Sequence, residues 1–204
     1  MRDHLRAGIA IYNDGFYHAA HDAWENHWLD LETGTDDEQL LHGLIQATAA
    51  VHHAHTQNWE GTVGLADSAL EYLAGLPSTY RNVQLSPLRS FLAALAADPE
   101  LVERRPPVRI EHEGEVPTRE DLGFDATTIA ALVLADELDY EVGVIEQGLE
   151  YAERDLAAGE DDSAFISLLF DFVREDSHRG IVAQRLAGHV ERRQAKESDV
   201  EGLF

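Results

Sequence analysis

Histidine is unevenly spread along this chain. Seven of its eleven imidazoles, His18, His21, His27, His42, His52, His53 and His55, fall within one short stretch. A neutral imidazole nitrogen and a carboxylate oxygen together can hold a divalent metal. The chain has no cysteine, so any metal must be held by nitrogen and oxygen, and zinc, manganese, iron and nickel are all compatible with such donors. His21 and Glu25 are the pair that could begin a site. Four residues apart on a helix, they share a face with Cβ atoms about 5–6 Å apart. His18 and Asp22 flank them, and Trp28 follows at the edge of the same stripe.

Two helices must position these groups. Tyr17, Ala20, Trp24, Trp28 and Leu31 form an apolar stripe that predicts a helix over about 16–31. Leu5, Ile9 and Tyr12 predict an earlier helix over 3–13, which Asn13-Asp14-Gly15 stops. Thr35-x-x-Glu38 reads as a capping box opening a third helix over about 36–55. At about 100° per residue, His42, Gln46, Ala49 and His53 share one face of that helix, and His52 lies about 100° round from it. The short connection at 32–35 favours antiparallel packing, with Ala49 and Ala50 allowing close approach. His21 or Glu25 then meets Gln46 and His53. The candidate metal ligands are His21, Glu25 and His53, with a position left for water. Asp22 and Gln46 would orient the ligands from behind, and His18, Trp28 and His52 would line the site.

Each of these residues also has a plainer reading. Trp24 and Trp28 serve as core anchors, and His27 falls on the side away from Glu25. His52, His53 and His55 suit a solvated helix end, where cations meet the negative pole of the dipole. His21, Glu25, Gln46 and His53 could equally form a buried hydrogen-bond network that fixes how two helices pack.

Further along, Asn58 reads as the N-cap of a fourth helix that ends near Leu76-Pro77. Ser86-Pro87 reads as a cap and first residue of a fifth, which Asp98-Pro99 stops. Arg105-Pro106-Pro107 is a stiff element. The alternation in Val108-Arg109-Ile110-Glu111-His112, followed by Glu113-Gly114-Glu115, predicts a short β-hairpin near 108–117. Helical patterning returns near 125–137, 139–158, 163–175 and 178–195. The expected fold is an all-α helical bundle of eight or nine helices with that one hairpin. Residues 1–98 form an N-terminal bundle carrying the His–Glu pair, 99–124 a linker or hairpin, and 125–204 a helical extension packed on the first part as one unit.

Composition excludes several function classes. There are 39 acidic residues against 15 basic ones, for a net charge of −24, and Lys196 is the only lysine. Nucleic acid and anionic membranes both require a basic face, so neither is an expected partner. No apolar run approaches the ~20 residues of a membrane helix, and Met1-Arg2-Asp3-His4 lacks an apolar signal core. The expected location is the cytoplasm. At molar salt the Debye length falls to about 3 Å and self-repulsion largely vanishes, so the expected cytoplasm is one of high salt. The chain lacks H-E-x-x-H, P-loop, G-x-S-x-G and G-x-G-x-x-G patterns. Asp161-Asp162 and Glu111-x-Glu113-x-Glu115 read as acidic surface, their ligand pattern being incomplete for calcium.

Three blocks in order carry a resemblance. Phe16 to Trp28 reads FYHAAHDAWENHW and contains His21-x-x-x-Glu25-x-x-Trp28; Gly43 to His53 reads GLIQATAAVHH; Asn58-x-x-Gly61 follows. Over about residues 8–76 the chain resembles the small helical family called domain of unknown function 309. The resemblance implies an all-helical fold and a metal-binding motif at His21, Glu25 and Trp28. Gln46, His53, Asn58 and Gly61 match the later blocks and fall among the site-lining positions. His18 and Thr62 stand where relatives often carry other residues.

Two functions fit these residues. One is a metal-binding protein, as a metal-dependent hydrolase acting on a small-molecule ligand. The other is a non-catalytic helical interaction module, with a homo-oligomer as its expected form. The charge yields the first testable expectation: helicity, followed by circular dichroism, is lost below roughly a few tenths molar salt. Full stability in dilute buffer would contradict the high-salt reading.

Overall fold

In the computed structural model, residues 1–160 and 162–201 are described. Asp161, half of the acidic pair noted above, and residues 202–204 lie outside the described residues. The chain forms two compact units, Met1–Leu122 and Gly123–Phe204, and the described residues include nine α-helices.

The first unit contains α1 (Arg2–Asn13), α2 (Tyr17–Leu29), α3 (Asp36–His55), α4 (Trp59–Leu73) and α5 (Leu85–Ala97). Each helix packs on the next in sequence. The apolar stripes read from the sequence make this core: Leu5, Ile9 and Tyr12 of α1, Trp24 of α2, and Leu40, Leu41 and Leu44 of α3 are all essentially inaccessible. Burying Trp24 contributes roughly 4–6 kcal/mol of transfer free energy, from about 150–250 Å² at about 25 cal/mol per Å². It packs closely on α1 because residue 8 is glycine; a Cβ there would stand 2.2 Å from Trp24 Nε1. Gly43 does the same for α3 and α4, since its Cβ would come within 2.6 Å of Leu73.

Helix ends follow the capping signals with two adjustments. Thr35 Oγ1 accepts from the Glu38 backbone N–H, and Asn58 Oδ1 from that of Gly61. The Glu38 side chain, however, accepts from the Gly34 N–H rather than from Thr35, so the expected capping box is half formed. Helix α5 begins at Leu85, ahead of the Ser86-Pro87 signal; proline is tolerated there because first-turn N–H groups have no intrahelical partner.

Strand structure is short. His112 and Glu115 form a single antiparallel bridge around Glu113 and Gly114, both at positive φ, within the stretch expected to be a hairpin. Pro106, Pro107 and Pro117 flank it, and proline has no N–H to extend a ladder. Among the described residues the regular strands are β1 (Thr79–Tyr80) and β2 (Val83–Gln84), paired antiparallel. Arg81 and Asn82 between them have φ of 48° and 61°, the geometry of a tight primed turn, which asparagine tolerates. His112 bridges Val83 as well, so both turns form one patch.

The Asn13-Asp14 stop signal has a second role. Asn13 Nδ2 donates to the carbonyls of Ile110 and Pro117 (both 2.9 Å), and its Oδ1 accepts from the Ile110 N–H (2.8 Å). Asp14 receives the buried Arg119 guanidinium at 2.7 Å. These bonds fasten residues 110–119 to the end of α1 and satisfy carbonyls that the proline-rich backbone leaves over.

The second unit contains α6 (Phe124–Glu137), α7 (Val142–Ala157), α8 (Ala164–Arg174) and α9 (Arg179–Glu201). Its core includes Leu134, Ile145, Tyr151, Phe172 and Leu186. Asp155 accepts from Ser163 Oγ (2.6 Å) and Arg193 Nη2 (3.2 Å), joining α7, the cap of α8, and α9. Among the described residues no helix is long and apolar enough to cross a membrane.

His112 is 1 % exposed, and its Nδ1 is buried without a hydrogen-bond partner. Burial pushes its pKa down from the ordinary histidine value. The native state therefore binds fewer protons than the unfolded chain between the depressed pKa and about 6.5. The stability this group contributes is complete above about pH 6.5 and declines as pH falls below it. Denaturant unfolding of wild type and His112→Gln should show a stability difference that shrinks from pH 8 to pH 5.5. A difference that stays constant would contradict the assignment.

Candidate functional site

Helices α2 and α3 are held in register by one buried carboxylate. Glu38, 7 % exposed, accepts from Trp28 Nε1 (2.9 Å), from the Gly34 N–H (3.2 Å) and from His42 Nδ1 (3.1 Å). Burial alone would raise its pKa, but the Trp28, Gly34 and His42 hydrogen bonds outweigh it and hold the carboxyl below the ordinary range. His42 in turn stacks on Tyr72 of α4, ring centroids 3.7 Å apart. Trp28, read from the sequence as a core anchor or site-lining residue, is thus engaged across the helix pair by Glu38.

With α2 so placed, His21, Asp22 and Glu25 turn to one side. One donor atom from each can be chosen so that all three lie within 4.8 Å of one another. All three residues are half-buried, open enough for solvent yet held by the helix. His21 Nδ1 lies 2.9 Å from Asp22 Oδ1. A carboxylate only accepts, so Nδ1 carries the hydrogen and the neutral ring keeps its lone pair on Nε2. Asp22 Oδ2 is 3.6 Å from His18 Nδ1. The hydrogen bond to Asp22, with the nearby Glu25 and Asp22 charges, raises the His21 pKa against an opposing effect of burial.

Beside this cluster is a cleft of about 140 Å³ lined by Tyr17, His18, His21, Ala49, His52 and His53. The imidazoles run across it in sequence: His21 to His18 (6.3 Å between centroids), His18 to His52 (5.9 Å) and His52 to His53 (6.1 Å). His53 is held from behind, where Asn58 Nδ2 lies 2.6 Å from its Nδ1. Gly61 makes this possible, since a Cβ there would stand 2.8 Å from Asn58 Nδ2 and 2.9 Å from His53 Nδ1. Asn58 and Gly61 therefore cap α4 and seat an imidazole at once.

The structure thus brings His18, His21, His52 and His53 to one cleft, with Asp22 and Glu25 grouped on His21. Among the described residues the lining does not include Gln46, which is half-buried on α3. His27 stacks instead on His4 of α1, at 4.5 Å. Tyr17 was absent from the sequence reading of the site, although it stands four residues before His21 and so shares its face. Its ring also stacks on His55 at 5.3 Å, giving that helix-end histidine an aromatic partner.

Residues 5–65 match the family model described as domain of unknown function (DUF309), the family that the motif blocks resemble. The matched span runs from α1 into α4 and includes every residue of the cluster and the cleft. No curated protein matches the chain.

A raised His21 pKa stabilises the fold below the unfolded value of about 6.5, and that contribution is lost as pH rises through the native pKa. In an NMR titration the His21 ring should show a midpoint above about 6.5, and Asp22→Asn should lower it. An unchanged midpoint in the variant would remove Asp22 as the cause.

Proposed function

We propose that this protein binds a divalent metal ion through His21 and Glu25, with Asp22 gripping the His21 Nδ1–H and presenting its Nε2. The observation that carries this reading is that donor atoms of His21 and Glu25 lie within 4.8 Å of each other at a half-buried position, with the Asp22 carboxylate beside them and bonded to His21. The donor set is nitrogen and oxygen only, which suits zinc, manganese, iron or nickel. A carboxylate behind a ligating imidazole fixes its tautomer and raises its basicity. At such a site the ion would supply Lewis acidity and activate water for hydrolysis. His53, the third ligand expected from spacing, lines the adjoining cleft with His18 and His52.

The rival reading, a hydrogen-bond network that exists to pack α2 on α3, has less support. That packing already has its polar joint at Glu38, buried and bonded from three directions. His21, Asp22 and Glu25 lie on one helix and remain partly open, so they add little to the α2–α3 contact. The acidic, nearly lysine-free composition supports a protein that works in a cytoplasm of molar salt.

Tag-free protein purified in molar salt should carry close to one metal per chain by elemental mass spectrometry. His21→Ala and Glu25→Ala should abolish the metal while helicity persists, at a stability change of about 1 kcal/mol or less, as for a half-exposed polar position. Trp28→Phe, which deprives Glu38 of a donor, should instead lower stability by roughly 1–3 kcal/mol. A wild type that retains no metal after being offered each candidate ion would end the proposal.

A further inference from the structure

Two imidazoles that line the cleft, His21 and His53, are pinned in opposite tautomers. At His21 the partner is a carboxylate, so the hydrogen sits on Nδ1 and Nε2 keeps its lone pair. At His53 the partner is an amide whose orientation is fixed. The Gly61 backbone N–H needs an acceptor and takes Asn58 Oδ1 at 3.1 Å. Asn58 must then offer its NH₂ to His53, and at 2.6 Å that group donates to Nδ1. An Nδ1 that accepts leaves the ring hydrogen on Nε2. Of the imidazoles lining the cleft, His21 therefore keeps a lone pair on Nε2 and His53 an N–H.

From this pairing we infer that the cleft takes a small oxyanion, the size of phosphate or the phosphate end of a larger molecule, with His53 Nε2–H as its fixed donor. The inference extends the metal reading of the adjoining cluster and rests on it for catalysis, though not for binding. Three further observations point the same way. Among the described residues the lining holds four imidazoles and a tyrosine but no carboxylate, in a chain of net charge −24. A volume of about 140 Å³ is well below the roughly 300 Å³ at which drug-sized ligand pockets begin. At molar salt the global negative charge is screened within about 3 Å, so donors in direct contact decide which ions bind. The conformation of His53 is also defended by the backbone, because Gly61 is the one residue whose lack of Cβ admits both Asn58 and the ring.

The test uses inorganic phosphate and metal-free protein in molar potassium chloride, where chloride is present in large excess. Phosphate should bind saturably, and nitrogen-15 imidazole spectra should show hydrogen on His53 Nε2. His53→Ala should weaken binding by about tenfold or more, the loss of one charge-assisted hydrogen bond. His53→Gln, whose amide can offer an N–H near the same place, should restore most of it. Circular dichroism of both variants separates loss of binding from loss of fold. Phosphate binding that responds to His53 in this way supports the inference whatever the metal analysis finds. Metal bound through His21 and Glu25 but no saturable phosphate binding would overturn the inference and leave the metal reading intact. Phosphate binding indifferent to His53→Ala would overturn it too.

Discussion

The Glu38 carboxylate is the joint on which the arrangement of the first unit turns. It is almost fully buried, and an unpaired buried carboxylate would be costly enough to protonate or to disrupt the fold. Three donors prevent that: the Trp28 indole from α2, the Gly34 N–H from the connection, and the His42 imidazole from α3 itself. Because those donors come from three places, the carboxylate is satisfied only when the two helices stand at one rotation and one register. That rotation carries His21 to the same side as His52 and His53. Removing a donor would leave a buried charge short of a partner, which is more disruptive than losing an ordinary contact.

This arrangement divides labour along α2. Trp24 faces α1 and is packed against Gly8; Trp28 reaches over to Glu38; His21 lines the cleft, with Asp22 and Glu25 grouped on it. The motif H-x-x-x-E-x-x-W thus contains two functions on one helix. Its last residue secures the helix, and its first two residues are placed by that security. The N-x-x-G block works likewise, since its asparagine caps α4 and seats His53 through one amide group.

The fixed tautomers give the cleft a direction. A histidine on a surface helix exchanges its hydrogen freely between both nitrogens, but a carboxylate at one ring and an amide NH₂ at the other remove that freedom. The result is a site in which one lining imidazole keeps a lone pair and another a donor, and whose lining among the described residues holds no carboxylate, on a molecule dense in them.

The sequence by itself determined the helices of the first unit and their order, because the apolar period of α1, α2 and α3 is a local property that survives folding. It also determined that His21 and Glu25 share a face, since an i, i+4 spacing on a helix leaves no other outcome. The Thr35 and Asn58 caps were legible for the same local reason. Only the tertiary structure decided the partners of these groups. Glu38 read as half of a capping box, yet its carboxylate is drawn to Trp28 and His42, a choice made by burial rather than by spacing. His52 stood about 100° from the expected face and lines the cleft with His53, because the crossing of α2 over α3 exposes both positions to one space. The short strands at 79–84 escaped notice because two-residue strands carry no period to read; they pair with each other, and Val83 also bridges His112 across the fold. Tautomers, above all, are set by which atom stands behind each ring, and that depends on residues brought near by packing.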